Sequence, residues 1–318
     1  RQKRRMSSIL RNYCEKNGRE KEEMRDMAAE RESMLIMKNV SKTFNPGTVN
    51  EKCALDGVNL TLGAGDFATI VGSNGAGKST LIKVLTGVHA KDGGKIAMEG
   101  RPISPSSPLE AMKCGISTVY QEVNLCPNLS VAENIFIGRE PKKAGGIDWK
   151  TINRRAAELL TTLNLNIDVT KTLGSYSVAA QQMIAIARAV DVDAKVLILD
   201  EPTSSLDEEE TQRLFAVVRK LKAQGLGVIF VSHFLDQIYE LCDRITVLRN
   251  GELVGAYAVA ELPRVELISK MIGKELGDIQ SMGKNTALCG DEVLIESVGL
   301  SVFGRFQDSD LQVHRGEA

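Results

Sequence analysis

The chain has 318 residues, of which 43% are hydrophobic and 25% are charged, and its formal net charge is -1. This length exceeds one average domain and allows a large buried core. The near-neutral charge gives no global attraction to nucleic acid or to an anionic membrane surface, so any partner has to be recognised locally. Six cysteines occur without a C-x-x-C pair, which argues against a zinc site and is typical of reduced thiols in a cytoplasmic protein. No stretch approaches the roughly 20 apolar residues that cross a bilayer, and the N-terminus lacks a signal-peptide core.

Residues 1–33 differ in composition from the rest of the chain. A cluster of basic residues precedes a mixed-charge run with few large apolar side chains, and the first residue is Arg1 rather than methionine. Such a composition cannot build a core, so we expect a charged, poorly ordered extension. A basic arm for lipid or nucleic acid is the alternative, which the interleaved acidic residues disfavour. The sequence therefore predicts that folding begins near Met34, and that the chain is a segment of a longer protein.

A glycine-rich loop follows the apolar run Phe67–Val71 and precedes an amphipathic stretch. This strand, loop and helix order is the context of a phosphate-binding loop, and an ordinary glycine turn is the weaker alternative. Backbone N–H groups of such a loop surround phosphate groups, and the N-terminus of the following helix adds a positive dipole. The lysine reaches the β- and γ-phosphates, and the hydroxyl after it ligates Mg²⁺. The loop consists of Gly72, Ser73, Asn74, Gly75, Ala76, Gly77, Lys78, Ser79 and Thr80.

Strand-like and helix-like segments alternate after this loop. Alternation of this kind predicts an α/β fold with a largely parallel sheet. The region of about 128–190 is instead mostly helical and lies between two strands of the core, which predicts an inserted helical subdomain. The strand candidates are Lys95–Met98, Ser117–Tyr120, Lys195–Leu199, Gly227–Val231 and Ile245–Leu248.

Two acidic residues follow the apolar run Val196–Leu199. A buried central strand delivers the residues after it to the carboxyl edge of the sheet. Asp200 is expected to hold Mg²⁺ through water, and Glu201 is the candidate general base that polarises the attacking water. A solvated turn is the alternative, which the succeeding Pro202-Thr203-Ser204-Ser205-Leu206-Asp207 disfavours.

Five motifs occur in the order that is typical of ABC-type ATPases. They are the phosphate loop, Gln121 after Val119-Tyr120, Asp200-Glu201-Pro202-Thr203, Ser204-Ser205-Leu206-Asp207, and His233 after Phe230-Val231-Ser232. Over about residues 34–273 the chain therefore resembles an ABC-type ATPase. The resemblance implies a P-loop nucleotide-binding domain over 34–275, with a β-rich N-terminal subdomain, a parallel core sheet and a helical subdomain at about 128–190.

The same resemblance implies roles for individual residues. Gln121 would link the γ-phosphate and the metal to the helical subdomain, and His233 would contact the γ-phosphate. Asp207 would communicate across a dimer in which two domains enclose the nucleotide, and Phe44 falls where the family stacks an aromatic ring on adenine. Glu201, His233 and Gln121 thus form the expected catalytic set. The expected metal set is Ser79, Gln121 and Asp200.

The segment Tyr176-Ser177-Val178-Ala179-Ala180 departs from the family's usual Leu-Ser-Gly-Gly-Gln signature. In this family the signature helix presents backbone N–H groups to the γ-phosphate of the opposing domain, where small residues leave room. Val178 and Ala179 bring side chains into that space, although Ser177 can still cap the helix. We therefore expect Ser177, Val178, Ala179 and Asp207 to face a dimer partner and to serve a weakened opposing site.

The departure in this signature resembles the monosaccharide-importer branch, whose ATPase subunits are two fused domains with a non-consensus signature in the first. Three further segments resemble the galactofuranose-type ATPases of that branch: Gly115–Leu125, Asn134–Pro141 and His233–Gln237. The resemblance implies a transport-coupled ATPase, or translocase, that uses ATP and Mg²⁺ at the cytoplasmic face of the inner membrane. Its implied partners are permease subunits, a second ABC domain or a homodimer, and indirectly a periplasmic sugar-binding protein, but no nucleic acid. A soluble ABC-type ATPase associated with DNA or ribosomes is the alternative, which the near-neutral charge disfavours.

The end of the chain repeats the beginning of the domain. Leu294, Ile295 and Phe303 match Leu35, Ile36 and Phe44 without a gap, and a second group of four matches follows. This repeat predicts a linker over 276–291 and the truncated start of a second ABC domain over 292–318. Chance similarity between two strand openings is the alternative. The second group pairs Leu311, Val313, Gly316 and Glu317 with Leu60, Leu62, Gly65 and Asp66.

Overall fold

A computed structural model of the protein describes residues 33–121, 124–143, 145–273, 290–302 and 306–315. The chain divides into two compact units, Arg1–Ile272 and Gly273–Ala318. The predicted extension lies outside the described residues up to residue 32, whereas Ser33 already pairs with Gly63. The predicted linker also lies outside them, except for residues 290 and 291. In the described part of the chain, no helix is both long enough and apolar enough to cross a lipid bilayer.

The strands are β1 (Ser33–Phe44), β2 (Lys52–Gly63), β3 (Phe67–Val71), β4 (Gly93–Met98), β5 (Arg101–Ile103), β6 (Ile116–Val119), β7 (Lys142–Lys143), β8 (Gly146–Ile147), β9 (Val196–Asp200), β10 (Gly227–Val231), β11 (Arg244–Arg249), β12 (Glu252–Ala258), β13 (Gly290–Val302) and β14 (Phe306–Arg315). The helices are α1 (Lys78–Leu85), α2 (Pro108–Lys113), α3 (Val131–Phe136), α4 (Trp149–Thr162), α5 (Val178–Val190), α6 (Glu208–Ala223), α7 (Leu235–Leu241) and α8 (Arg264–Ile272). Short 3-10 turns occupy Leu173–Ser175 and Val259–Glu261.

The first unit is built on a ten-stranded sheet with the order β5-β4-β1-β2-β12-β11-β3-β10-β9-β6. Neighbours are parallel from β11 through β3, β10 and β9 to β6. At the other end, β5, β4, β1 and β2 pair in antiparallel fashion, as do β11 and β12. The predicted parallel core sheet is confirmed from β11 to β6. In the β-rich N-terminal part, β1 and β2 form an antiparallel hairpin, because a local turn needs no helical crossover.

The central strands are buried on both faces, and their side chains alternate between two cores. In β9, Val196 and Ile198 belong to one core and Leu197 and Leu199 to the other, and all four are fully buried. Helix α1 packs in the first of these cores, whereas α3 to α7 pack in the second. Strands covered on both faces read as continuous apolar runs, which is why the sequence indicates their positions so clearly.

The region 128–190 contains α3, α4 and α5, together with the small β7–β8 hairpin. Helix α3 begins with a capping box, in which Ser130 and Glu133 each accept a hydrogen bond from the backbone of the other. Such caps satisfy N–H groups that would otherwise lack partners at a helix start. The hairpin has only two residues in each strand, too few for the alternating pattern that reveals a strand in a sequence.

The second unit contains one antiparallel pair, β13 with β14. The β1–β2 pair, which the repeat predicts as its counterpart, is also antiparallel. The register differs by one residue, because Ile295 lies opposite Val313 whereas Leu35 lies opposite Leu62. The predicted matches at Phe303, Gly316 and Glu317 lie outside the described residues.

The packing of the parallel strands gives a direct test of this core. Phe230 is 1% exposed, and its ring meets that of Phe67 edge to face with centroids 5.9 Å apart. We expect Phe230→Ala to lower the free energy of unfolding by about 3–5 kcal/mol, because it leaves a cavity in a closely packed layer. Leu109→Ala is the control, since Leu109 is 59% exposed. Urea denaturation of both variants provides the measurement, and equal midpoints would contradict the packing described here.

Candidate functional site

The phosphate loop joins β3 to α1 in the middle of the sheet. Strand β3 ends at Val71, between β11 and β10, and α1 begins at Lys78. Gly77 is the N-cap of α1, with φ at 105°, and no side chain caps the helix. The Ala76 N–H donates to the Ser73 carbonyl at 3.1 Å, which closes the turn. The N–H groups of the first helical turn and their dipole therefore face the loop, which favours an anion there.

The glycines of the loop have two different functions. A Cβ on Gly72 would lie 2.3 Å from the Leu248 carbonyl oxygen and 2.7 Å from the Ala76 Cβ. A Cβ on Gly77 would lie 2.6 Å from the Ala54 carbonyl oxygen. Gly75 has φ at +80° and would place its Cβ in open space. Gly72 and Gly77 thus allow close packing of the backbone, and both Gly75 and Gly77 have a positive φ that favours glycine.

A cavity of about 260 Å³ opens over the loop. Phe44, at the end of β1, lines this cavity. Lys52 and Ala54 also line it, although the sequence analysis did not indicate them. Lys52 lies directly opposite Phe44 in the β1–β2 pair, so a known strand register would have revealed it. The complete lining is Phe44, Lys52, Ala54, Ser73, Asn74, Gly75, Ala76, Gly77, Lys78, Ser79, Thr80 and Glu201.

Lys78 supplies a cation inside this cavity. Its ammonium donates to the carbonyl oxygens of Gly72 at 2.5 Å and Ser73 at 3.2 Å. Burial lowers the pKa of Lys78, while the carboxylates of Glu201 and Asp200 oppose that shift. Hydrogen bonds to the backbone of the phosphate loop therefore hold the Lys78 ammonium, and the two carboxylates act on it electrostatically. A cation in this cavity can form charge-assisted hydrogen bonds with an anionic ligand.

The two acidic residues lie at the carboxyl end of β9 in different environments. Burial, and then the Glu201 carboxylate, raise the pKa of Asp200, whereas Lys78 lowers it. Glu201 lines the cavity and has a positive φ of 47°, and its N–H donates to the Val231 carbonyl at 2.8 Å. A left-handed conformation is costly for glutamate, and residues held in such conformations are frequent at functional sites.

His233 lies next to Glu201. Its Nδ1 is 3.4 Å from the Glu201 Oε1, and its side chain is 57% exposed. Gln237 of α7 holds this region together, because its Oε1 accepts from the hydroxyls of Thr203 at 2.7 Å and Ser232 at 3.4 Å. Sequence analysis assigned no role to Gln237, because its partners follow two separate strands that meet only in the folded sheet.

Other predicted site residues lie away from the cavity. Gln121 is exposed and follows β6, which pairs with β9, but it is not among the residues lining the cavity. Ser177 and Ala179 line a separate groove beside α6, and Val178 is 51% exposed at the start of α5. Asp207 is the N-cap of α6 and accepts a hydrogen bond from the Glu210 N–H. Within the described unit, these residues therefore do not join the phosphate-loop cavity.

Comparison with known proteins agrees with this fold. A phosphate loop after a central parallel strand, with acidic residues at the end of the parallel strand two positions away in the sheet, defines a P-loop nucleotide-binding protein. The profile of the ABC transporter family matches residues 55–204. Residues 55–204 of the chain therefore contain an ABC transporter family domain.

Several curated relatives are transport ATP-binding proteins. The galactofuranose transporter ATP-binding protein YtfR of Escherichia coli is 47% identical over 286 residues, which is 90% of this chain and 56% of that protein. The fructose import ATP-binding protein FruK of Bifidobacterium longum is 45% identical over 289 residues, covering 89% of this chain and 55% of that protein. The chain thus spans just over half the length of the curated relatives it matches.

Solved structures with the same fold are ATP-binding cassettes. A nucleotide-free cassette from an ABC transporter has a TM-score of 0.65 and 26% identity, covering 76% of this chain and 96% of its own. A dimeric cassette in a post-hydrolysis state, bound to ADP and Pi, has a TM-score of 0.60 and 28% identity. That match covers 71% of this chain and 99% of the cassette.

The close approach at Gly72 provides a test of the loop geometry. We expect Gly72→Ala to lower the free energy of unfolding by about 1–3 kcal/mol, because the added Cβ overlaps backbone atoms that cannot easily move. Gly146→Ala is the matched control, since a Cβ there meets nothing within 4 Å. Thermal unfolding of the two variants is the measurement. A Gly72→Ala protein as stable as the control would contradict the described packing.

Proposed function

We propose that this chain binds and hydrolyses ATP and thereby energises the import of a monosaccharide through a membrane permease. The observation that carries this proposal is the cavity over the phosphate loop, which combines Phe44, Lys78 and Glu201 in one space. The aromatic ring suits the base of a nucleoside triphosphate, the cation suits its phosphates, and the carboxylate suits the water that attacks the γ-phosphate. The names of the import ATP-binding relatives support the transport step.

Each group has a role in the proposed hydrolysis. Phe44 stacks on the base, the loop backbone and Lys78 hold the phosphates, and Glu201 accepts a proton from the attacking water. His233 lies 3.4 Å from Glu201, so it is near enough to orient the carboxylate and to contact the γ-phosphate. Gln121, at the end of the adjacent strand, would join this set when the helical region moves towards the nucleotide.

The residues present also suit Mg²⁺. Ser79 lines the cavity, and Asp200 lies at the end of β9 within the electrostatic influence of Lys78. Mg²⁺ is usually held by one or two protein ligands together with substrate phosphates and waters, so this small donor set is sufficient. When bound, the ion would neutralise charge on the phosphate oxygens. We propose Ser79 and Asp200 as its main protein contacts, with Gln121 as the third.

We further propose that the site is completed by a second domain, either in a longer form of the protein or in a homodimer. Ser177 and Ala179 lie on a separate groove rather than at the phosphate-loop cavity, as expected if the signature serves a partner. The side chain of Val178 is 51% exposed, and it would crowd a γ-phosphate approaching the start of α5. The opposing site is therefore proposed to turn over slowly.

The proposed partners are permease subunits at the cytoplasmic face of the membrane, with a periplasmic sugar-binding protein acting indirectly. Purification from detergent-solubilised membranes tests this assignment. A hydrophobic permease that copurifies with the chain would support it. Copurification with nucleic acid or ribosomes and no permease would instead favour the soluble ABC-type ATPase.

Loss of the cation tests nucleotide binding. We expect Lys78→Ala to weaken MgATP binding by roughly 10- to 100-fold, because charge-assisted hydrogen bonds to the phosphates disappear. Lys113→Ala is the control, since Lys113 is an exposed residue at the end of α2. Isothermal titration calorimetry gives both affinities. Unchanged affinity in Lys78→Ala would refute the phosphate-loop assignment.

Replacing the candidate base separates binding from hydrolysis. We expect Glu201→Gln to retain ATP and to slow phosphate release by about 100-fold or more, because the amide keeps the shape but accepts no proton. Glu208→Gln, an exposed change in the first turn of α6, should leave the rate unchanged. The rates are compared in the protein assembled with its second domain. Turnover of Glu201→Gln at the rate of the unaltered protein would exclude Glu201 as the base.

A further inference from the structure

The ring of Phe44 is held from outside the cavity by the loop between α1 and β4. We propose that two residues of this loop, His89 and Asp92, are positioning residues that fix Phe44 as the platform for the nucleotide base. This proposal deepens the proposed ATP site and rests on it. It assigns base recognition to residues that do not line the cavity themselves.

His89 contacts the ring directly. Its imidazole meets Phe44 edge-on, with ring centroids 5.1 Å apart and an interplanar angle of 79°. This is the arrangement that aromatic pairs favour, with the edge of one ring directed at the face of the other or the reverse. The backbone N–H of His89 donates to the Lys83 carbonyl at 3.0 Å, so the residue that contacts the Phe44 ring is hydrogen-bonded to α1. The base platform and the phosphate-loop helix are thereby connected.

Asp92 holds the backbone that leads to the ring. Its carboxylate accepts from the Thr43 N–H at 2.6 Å and from the Lys42 ammonium at 2.8 Å, and its own N–H donates to the Ser41 carbonyl at 2.9 Å. These hydrogen bonds from Lys42 and Thr43 lower the pKa of Asp92 and keep it charged. The carboxylate of Asp92 therefore holds Lys42 and Thr43, and its backbone N–H holds Ser41, so that Asp92 bonds all three residues before Phe44.

Lys42 connects Asp92 to the Phe44 ring, and His89, Asp92 and Lys42 are together called the clamp. Its ammonium, held by Asp92, lies over the Phe44 ring at 5.6 Å from the centroid. A cation at this distance is attracted to the ring face. Phe44 lines the cavity, whereas Lys42 and His89, which both contact its ring, do not. A base can then stack on a ring whose orientation is already set, which reduces the ordering cost of binding.

Phe44 and the phosphate loop are proposed to contact different parts of a nucleotide, so their contributions can be measured separately. ATP carries both a base and phosphates, whereas inorganic tripolyphosphate carries only the phosphate part. We expect His89→Ala and Asp92→Asn to weaken MgATP binding by roughly three- to tenfold, because Phe44 loses orientation. Binding of tripolyphosphate with Mg²⁺ should change by less than about twofold. His89→Phe keeps an edge-on ring and should restore most of the ATP affinity.

Calorimetric titration of the full 318-residue chain provides these affinities, with thermal unfolding to verify that each variant is folded. Val88→Ala is the matched control, because Val88 is the neighbouring residue and is 47% exposed. In a Phe44→Ala background, His89→Ala should have no further effect on ATP affinity. A full additional loss there would show that His89 acts without Phe44 and would overturn the proposal.

Further outcomes are separable. If the unaltered chain binds neither tripolyphosphate nor ATP, the proposed ATP site is wrong and the clamp is refuted with it. If it binds both equally, Phe44 does not recognise the base and the clamp proposal is refuted, although phosphate binding stands. If ATP binds more tightly than tripolyphosphate and depends on Phe44, but His89→Ala and Asp92→Asn bind ATP like the unaltered chain, only the clamp is wrong. An equal loss of ATP and tripolyphosphate affinity in both variants would also refute the clamp. Tripolyphosphate has no base, so residues that act only by orienting Phe44 should not affect its binding.

Discussion

The burial of three adjacent parallel strands on both faces is the constraint on which the site depends. Strands β3, β10 and β9 lie side by side, and almost every residue in them is buried. Because parallel strands end at the same edge, the phosphate loop after β3, the acids after β9 and His233 after β10 emerge together. Helices pack on both sides of these strands, so their relative positions cannot change without disrupting the core.

Electrostatic coupling then defines the chemistry at this edge. Burial lowers the pKa of Lys78, and the carboxylates of Glu201 and Asp200 offset only part of that shift. Burial of an unpaired charge would be costly, whereas a cation between carboxylates and a loop of N–H groups is prepared for an anionic ligand. The strained backbone of Glu201 is consistent with a side chain held in place for a reaction.

Local sequence could identify only part of this arrangement. The phosphate loop and the strand end at Asp200 and Glu201 are each short contiguous motifs, so each could be identified from the sequence by itself. Lys52, Gln237 and the contact between His89 and Phe44 were not predictable in this way. Each depends on the pairing of segments distant in the chain, and strand register or loop position is not encoded in any short motif.

The sequence by itself determined the α/β class, the phosphate loop and the acidic strand end, because apolar runs, glycine spacing and terminal carboxylates are local properties. It also indicated the ABC-type resemblance, which the family profile confirms over residues 55–204. Only the tertiary structure decided that half of the sheet is antiparallel, that Ser177 and Ala179 lie apart from the phosphate-loop cavity, and that His89 contacts the Phe44 ring. These features arise from packing between distant segments, whose energies are set by complementary surfaces rather than by local propensity.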